Sequence, residues 1–151
     1  MTMTTPTFEE TAKDEPGKIY EDSMENGVRY LIMRGPSSIN AYMGVPQNHP
    51  LWGFDYDSIP LDVHGGLTYA SEGKGHWPAG WWWYGWDYAH AGDDVFYYLD
   101  GKTPAILRGE QWTVEKIRGE IWNVTYDFSK LMRLAERIMT SPKAASKERT
   151  K

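Results

Sequence analysis

The run Trp81-Trp82-Trp83-Tyr84-Gly85-Trp86 is aromatic at every position but one. Large rings fit a pleated, half-covered surface, so the run reads as a β-strand, expected over residues 80–89. Alternate residues of a strand face opposite ways. That puts Trp82, Tyr84, Trp86, Tyr88 and His90 on one face, and Trp81, Trp83, Gly85, Asp87 and Ala89 on the other. The strand leads directly into Ala91-Gly92-Asp93-Asp94, a loop in which ionisable groups would stand on a rigid base.

The 151 residues suffice for one domain with a substantial core. In residues 28–33, Val28, Tyr30 and Ile32 alternate with Arg29, Leu31 and Met33, so both faces are mostly apolar and an inner strand is predicted. A turn at 34–38 and a second strand at 39–45 complete a hairpin. Residues 46–60 read as loop. Residues 61–64 and 67–70 read as extended, with Gly65-Gly66 between them as a bulge or a close backbone approach. Residues 71–80 are a turn-rich connection, and 95–110 read as irregular apart from an Asp100-Gly101 turn.

The last long segment repeats apolar residues at steps of three and four: Val114, Ile117, Ile121, Val124, Phe128, Leu131, Ala135 and Ile138. It predicts one helix over 113–139, with Thr113 as N-cap and a possible kink near Gly119 or Asn123-Val124-Thr125. The architecture expected is α+β: a small, mainly antiparallel sheet covered by a long C-terminal amphipathic helix, in a single domain over 18–140. Residues 1–17 are expected to be a mobile arm with a short turn of helix near 7–13, and 141–151 a disordered basic tail.

The chain has no Cys, which excludes disulfides, thiolate-bound zinc and thiol catalysis. No segment approaches the roughly 18 apolar residues of a spanning helix, so no membrane partner is expected and a cytoplasmic location is. A net charge of −5 makes nucleic acid an unfavoured partner.

Two blocks stand out for chemistry: His64-Gly65-Gly66-Leu67-Thr68-Tyr69, and Gly85-Trp86-Asp87-Tyr88-Ala89-His90-Ala91-Gly92-Asp93. With Gly44-Val45-Pro46, His49-Pro50 and Asp55-Tyr56-Asp57 before them, they resemble a family of small proteins encoded by phages and prophages, over about residues 28–138. The family pattern has Phe and Cys where this chain has Trp86 and Tyr88. The resemblance implies phage or prophage origin, and with it the cytoplasm of an infected bacterium; it brings no reaction with it. Association by class adds an anti-defence role.

Three functions fit these residues. The first is a pocket of His49, Trp52, Tyr56, Asp57, Gly65, Gly66, Thr68, Tyr69, Trp86 and Asp87 that binds and sequesters a small nucleotide-like ligand, by ring stacking and polar contacts. The second is a phosphodiesterase or other hydrolase, with His64 and His90 as general base and acid and Asp93 beside them. The third is an inhibitor that binds a host defence protein. No cofactor is required by any of them. A divalent metal on the His/Asp set is chemically possible, although no His-Glu-x-x-His spacing occurs. Against all three stands plain architecture, with the aromatics as core and Asp93 as a turn cap.

Overall fold

The computed structural model describes residues 5–139. Five strands, β1 (Ile19–Glu25), β2 (Val28–Arg34), β3 (Ile39–Pro46), β4 (Tyr69–Glu72) and β5 (Trp81–Trp86), form an antiparallel sheet in the order β1-β2-β3-β5-β4. The C-terminal helix lies across β1, β2 and β3. The chain is thus an α+β fold with a mostly antiparallel sheet and a long C-terminal helix.

Side-chain alternation divides the core in two. Val28, Tyr30, Ile32, Ala41, Met43, Val45, Tyr84 and Trp86 face the helix, while Leu31, Met33, Tyr42 and Trp83 form a second cluster on the far face. The near-continuous apolar runs of β2 and β3 follow from this two-sided burial. Trp77 and Tyr69 close the far cluster, and the Arg29 guanidinium lies 4.9 Å from the Trp81 ring and 5.5 Å from the Trp83 ring. Most of the aromatic excess is therefore packing.

The helix, α2 (Val114–Met139), is continuous. Thr113 Oγ1 accepts from Lys116 N, as a helix cap does. Thr125 and Ser129 are tolerated at buried helix positions because their hydroxyls donate back to the carbonyls of Ile121 and Tyr126.

Two expectations are corrected. Residues 95–110 are not irregular: β6 (Val95–Leu99) and β7 (Thr103–Leu107) pair as a second, two-stranded sheet around the Asp100-Gly101 turn. Val95–Leu99 shows no alternation of apolar and polar residues, Pro104 reads against a strand in its partner, and only Phe96 is buried. Residues 61–64 are no strand, since Gly66 N donates to Val63 O and closes a turn with positive φ at Gly65 and Gly66.

The N-terminal segment contains the short turn of helix expected near residues 7–13. Residues 8–12 form α1 (Phe8–Ala12), capped by Thr7 in a capping box, with Phe8 stacked on Phe96 at 4.4 Å. Buried Arg34 holds the helix end: its Nε and Nη2 donate to Thr11 O and Ala12 O at 2.8 and 3.1 Å, and its guanidinium lies 3.8 Å from the Phe96 ring centre. The predicted basic tail lies outside the described residues.

Candidate functional site

The residues best placed for chemistry meet beyond the end of β5. The chain leaves that strand through Asp87 and Tyr88 and turns at His90, where Asp93 N donates to His90 O at 2.9 Å. Asp93 caps the turn, its Oδ2 accepting from His90 N at 3.1 Å. The same oxygen lies 2.7 Å from His64 Nε2, and Oδ1 accepts from Trp112 Nε1 at 3.1 Å. Asp93 is 8% exposed, so this buried carboxylate is satisfied by three N–H groups from three separate segments. Its bond to Nε2–H leaves Nδ1 as the basic nitrogen of His64.

Rings hold the imidazole in place. His64 stacks on Tyr88 at 4.6 Å and 19°, and lies 4.8 Å from Trp112 and 5.5 Å from His90. His90 forms a second His–Asp couple: its Nε2 is 3.1 Å from Asp87 Oδ1, close enough for charge pairing but out of line for a hydrogen bond. Gly65 is required here, since a Cβ at that position would run into the His90 ring, and its φ of +70° suits glycine. This is the close backbone approach expected of the Gly pair.

Tyr88 ties the cluster to α2. Its hydroxyl donates to Glu120 Oε1 at 2.7 Å and accepts from Trp86 Nε1 at 3.0 Å. Burial pushes the phenol upward, and the bond to Glu120 adds to the rise. Trp86 and Tyr88 are thus bonded to each other.

His64 borders an open groove of about 410 Å³ lined also by Asp62, Val63, Glu120, Asn123 and Asp127. Its three carboxylates give the groove a negative field. Sequence reasoning missed Trp112 and this wall. The signal was present in Glu120, Asn123 and Asp127, which recur at steps of three and four along one line of the helix.

The expected ligand residues do not all converge. Thr68, Tyr69, Trp86 and Asp87 line a separate pocket of about 250 Å³ with Pro36, Asn40, Tyr42 and Trp77. Asp87 links it to the His cluster, with Oδ2 accepting from Thr68 Oγ1 at 3.2 Å. Gly65 and Gly66 belong to the His64 turn. The loop carrying His49, Trp52, Tyr56 and Asp57 docks at the other end of the aromatic row. There Tyr84 Oη donates to Leu51 O, Trp82 Nε1 donates to Phe54 O, and Trp52 packs on Trp82.

Positions 82 and 88 of an extended chain lie roughly 20 Å apart, which is why that loop and the His pair are separate. His49 Nε2 instead sits 3.1 Å from Glu136 Oε1, out of line for a hydrogen bond, and Tyr56 and Asp57 are exposed.

Among the described residues no three His, Asp or Glu side chains are arranged to hold a metal ion, and no helix is long and apolar enough to cross a membrane. Compared with models of known families, with curated proteins and with solved structures, the chain matches none.

Proposed function

We propose that the chain is a hydrolase in which His64, oriented by Asp93, is the general base and His90, beside Asp87, the general acid. In the setting that the phage-type blocks imply, its substrate is a molecule of host defence. The observation that carries this reading is the 2.7 Å contact of His64 Nε2 with a buried carboxylate held by two further N–H donors. Water in the groove gives its proton to His64 Nδ1 as its oxygen attacks the electrophilic centre. His90 returns a proton to the departing oxygen, so the protons balance over the turnover. Each such transfer is worth about 10²–10⁴-fold in rate. The carboxylates of Asp62, Glu120 and Asp127 oppose free phosphate, which favours a substrate whose end in the groove is uncharged, cationic, or a phosphodiester carrying a divalent cation.

Bis(p-nitrophenyl) phosphate and p-nitrophenyl acetate, each with and without Mg²⁺, are suitable probes. The expected result is release of p-nitrophenol above the buffer rate, slowed about 100-fold or more in His64→Ala and Asp93→Asn proteins whose circular dichroism shows them folded. A wild-type rate equal to that of buffer, or to that of folded His64→Ala, would sink the proposal.

A second reading, sequestration of an intact nucleotide-like ligand, is favoured by the 250 Å³ pocket. Its Tyr69 and Trp77 rings and its Asn40 and Asp87 polar groups suit a planar heterocycle. Incubation with a nucleotide panel, followed by gel filtration and mass spectrometry of heat-released material, would then recover unaltered ligand. Tyr69→Ala should abolish that recovery and leave p-nitrophenol release unchanged.

A further inference from the structure

The outward face of α2 is unusual for a solvated helix. Trp122 and Tyr126 stack on each other at 5.2 Å and 8°, yet are 51% and 41% exposed. They lie on a line that runs Glu115, Gly119, Trp122, Tyr126, Lys130, Arg133, Arg137 at steps of 4, 3, 4, 4, 3 and 4. All seven are exposed. The spacing reads the same in both directions about Tyr126, and its chemistry is complementary end to end. The N-terminal half is acidic, small and aromatic, while the C-terminal half is cationic.

We infer that this face is an interface between two copies of the chain, with their α2 helices packed antiparallel about a two-fold axis at Tyr126. That symmetry sets Glu115 against Arg137 of the second copy, Trp122 against its Lys130, Gly119 against its Arg133, and Tyr126 against its equivalent. Glu115 and Arg137 gain an ion pair. Lys130, which lies 4.6 Å from its own Tyr126 ring, reaches a second aromatic face. Gly119 has open space where a Cβ would be, which gives the long Arg133 side chain room. The contact line from Glu115 to Arg137 is about 33 Å long, and the helix dipoles oppose favourably. A parallel pairing would instead set Lys130, Arg133 and Arg137 against their own equivalents, so charge selects the antiparallel arrangement. The two-fold also brings each Arg133 to the rim of the other copy's acidic groove, of which Gly119 is part.

Sedimentation velocity across a wide concentration series tests this on the intact chain. Wild type should dimerise. Glu115→Arg should raise the dimer dissociation constant by about tenfold or more, since two pairs are lost per dimer, and Glu115→Arg with Arg137→Glu should restore it. Because the chain has no Cys, Tyr126→Cys supplies a direct readout: the antiparallel dimer places the two thiols at the axis, and mild oxidation should give a covalent dimer. Glu115→Cys should give none. A wild type that stays monomeric at every concentration overturns the inference, as does a dimer indifferent to Glu115→Arg, or one that Glu115→Cys links as readily as Tyr126→Cys.

Discussion

Arg34 is a buried cation with no carboxylate partner among the described residues. It is 0% exposed, and carbonyl oxygens of Thr11, Ala12, Gly35 and Pro36, the Tyr98 hydroxyl and the Phe96 ring surround it. Neutral dipoles can hold a guanidinium because its five N–H donors fan out in a plane and each finds an oxygen. A lysine has three donors at a single point and cannot reproduce that fan. Arg34→Lys should therefore cost about 2–3 kcal/mol, seen as a lower urea midpoint with unchanged slope. Proteolysis should then begin near α1, whose last carbonyls lose their donors. The burial of Arg34 was not legible, because the sequence shows a cation at a strand end but not which carbonyls converge on it. Asp93 differs: its place three residues after His90 already suggested a turn cap, and the structure adds that the same carboxylate takes His64 and Trp112.

At the scale of elements, α2 carries its own contrast. Phe128 is 0% exposed and meets Tyr84 edge-on at 6.0 Å, so Phe128→Ala should lose about 3–5 kcal/mol through lost burial and a cavity. Gly119 sits in the same helix with negative φ and free space at its Cβ position. Gly119→Ala should raise stability by about 0.5–1 kcal/mol, measured as a higher thermal midpoint. The helix, the β2–β3 hairpin and the aromatic strand were legible because each shows a clean period of 3.6 or 2 over enough residues. β1 was not, since as an edge strand it is mostly polar and largely accessible. The β6–β7 hairpin was hidden because its two short strands carry no polar alternation and one of them holds Pro104. His49, Trp52, Tyr56 and Asp57 lie apart from the pocket of Thr68, Tyr69, Trp86 and Asp87 because separation along a strand decides which loops meet, and no local pattern records where the 46–60 loop docks.

For the molecule as a whole, the many buried phenols govern its response to alkali. Burial pushes the Tyr42 and Tyr84 hydroxyls from 10.0 up to about 12, and Tyr20, Tyr30 and Tyr88 are raised as well. In the unfolded chain these groups ionise near 10, so below that pH their preference for the neutral form in the fold is fully realised. As pH climbs from 10 through 12 the unfolded chain releases protons that the fold retains, and stability falls. Urea midpoints should fall steadily across that interval, and phenolate absorbance at 295 nm should appear together with unfolding for these tyrosines. A stability flat to pH 12 would contradict the burial of the phenols. Asp93 has a further consequence, a mechanical one. It joins the turn before β4, the turn after β5 and the residue next to the cap of α2, so it is the pivot at which three levers meet. Any molecule that turns the His64 ring pulls on Trp112, and so on the root of the helix whose far side carries Trp122 and Tyr126.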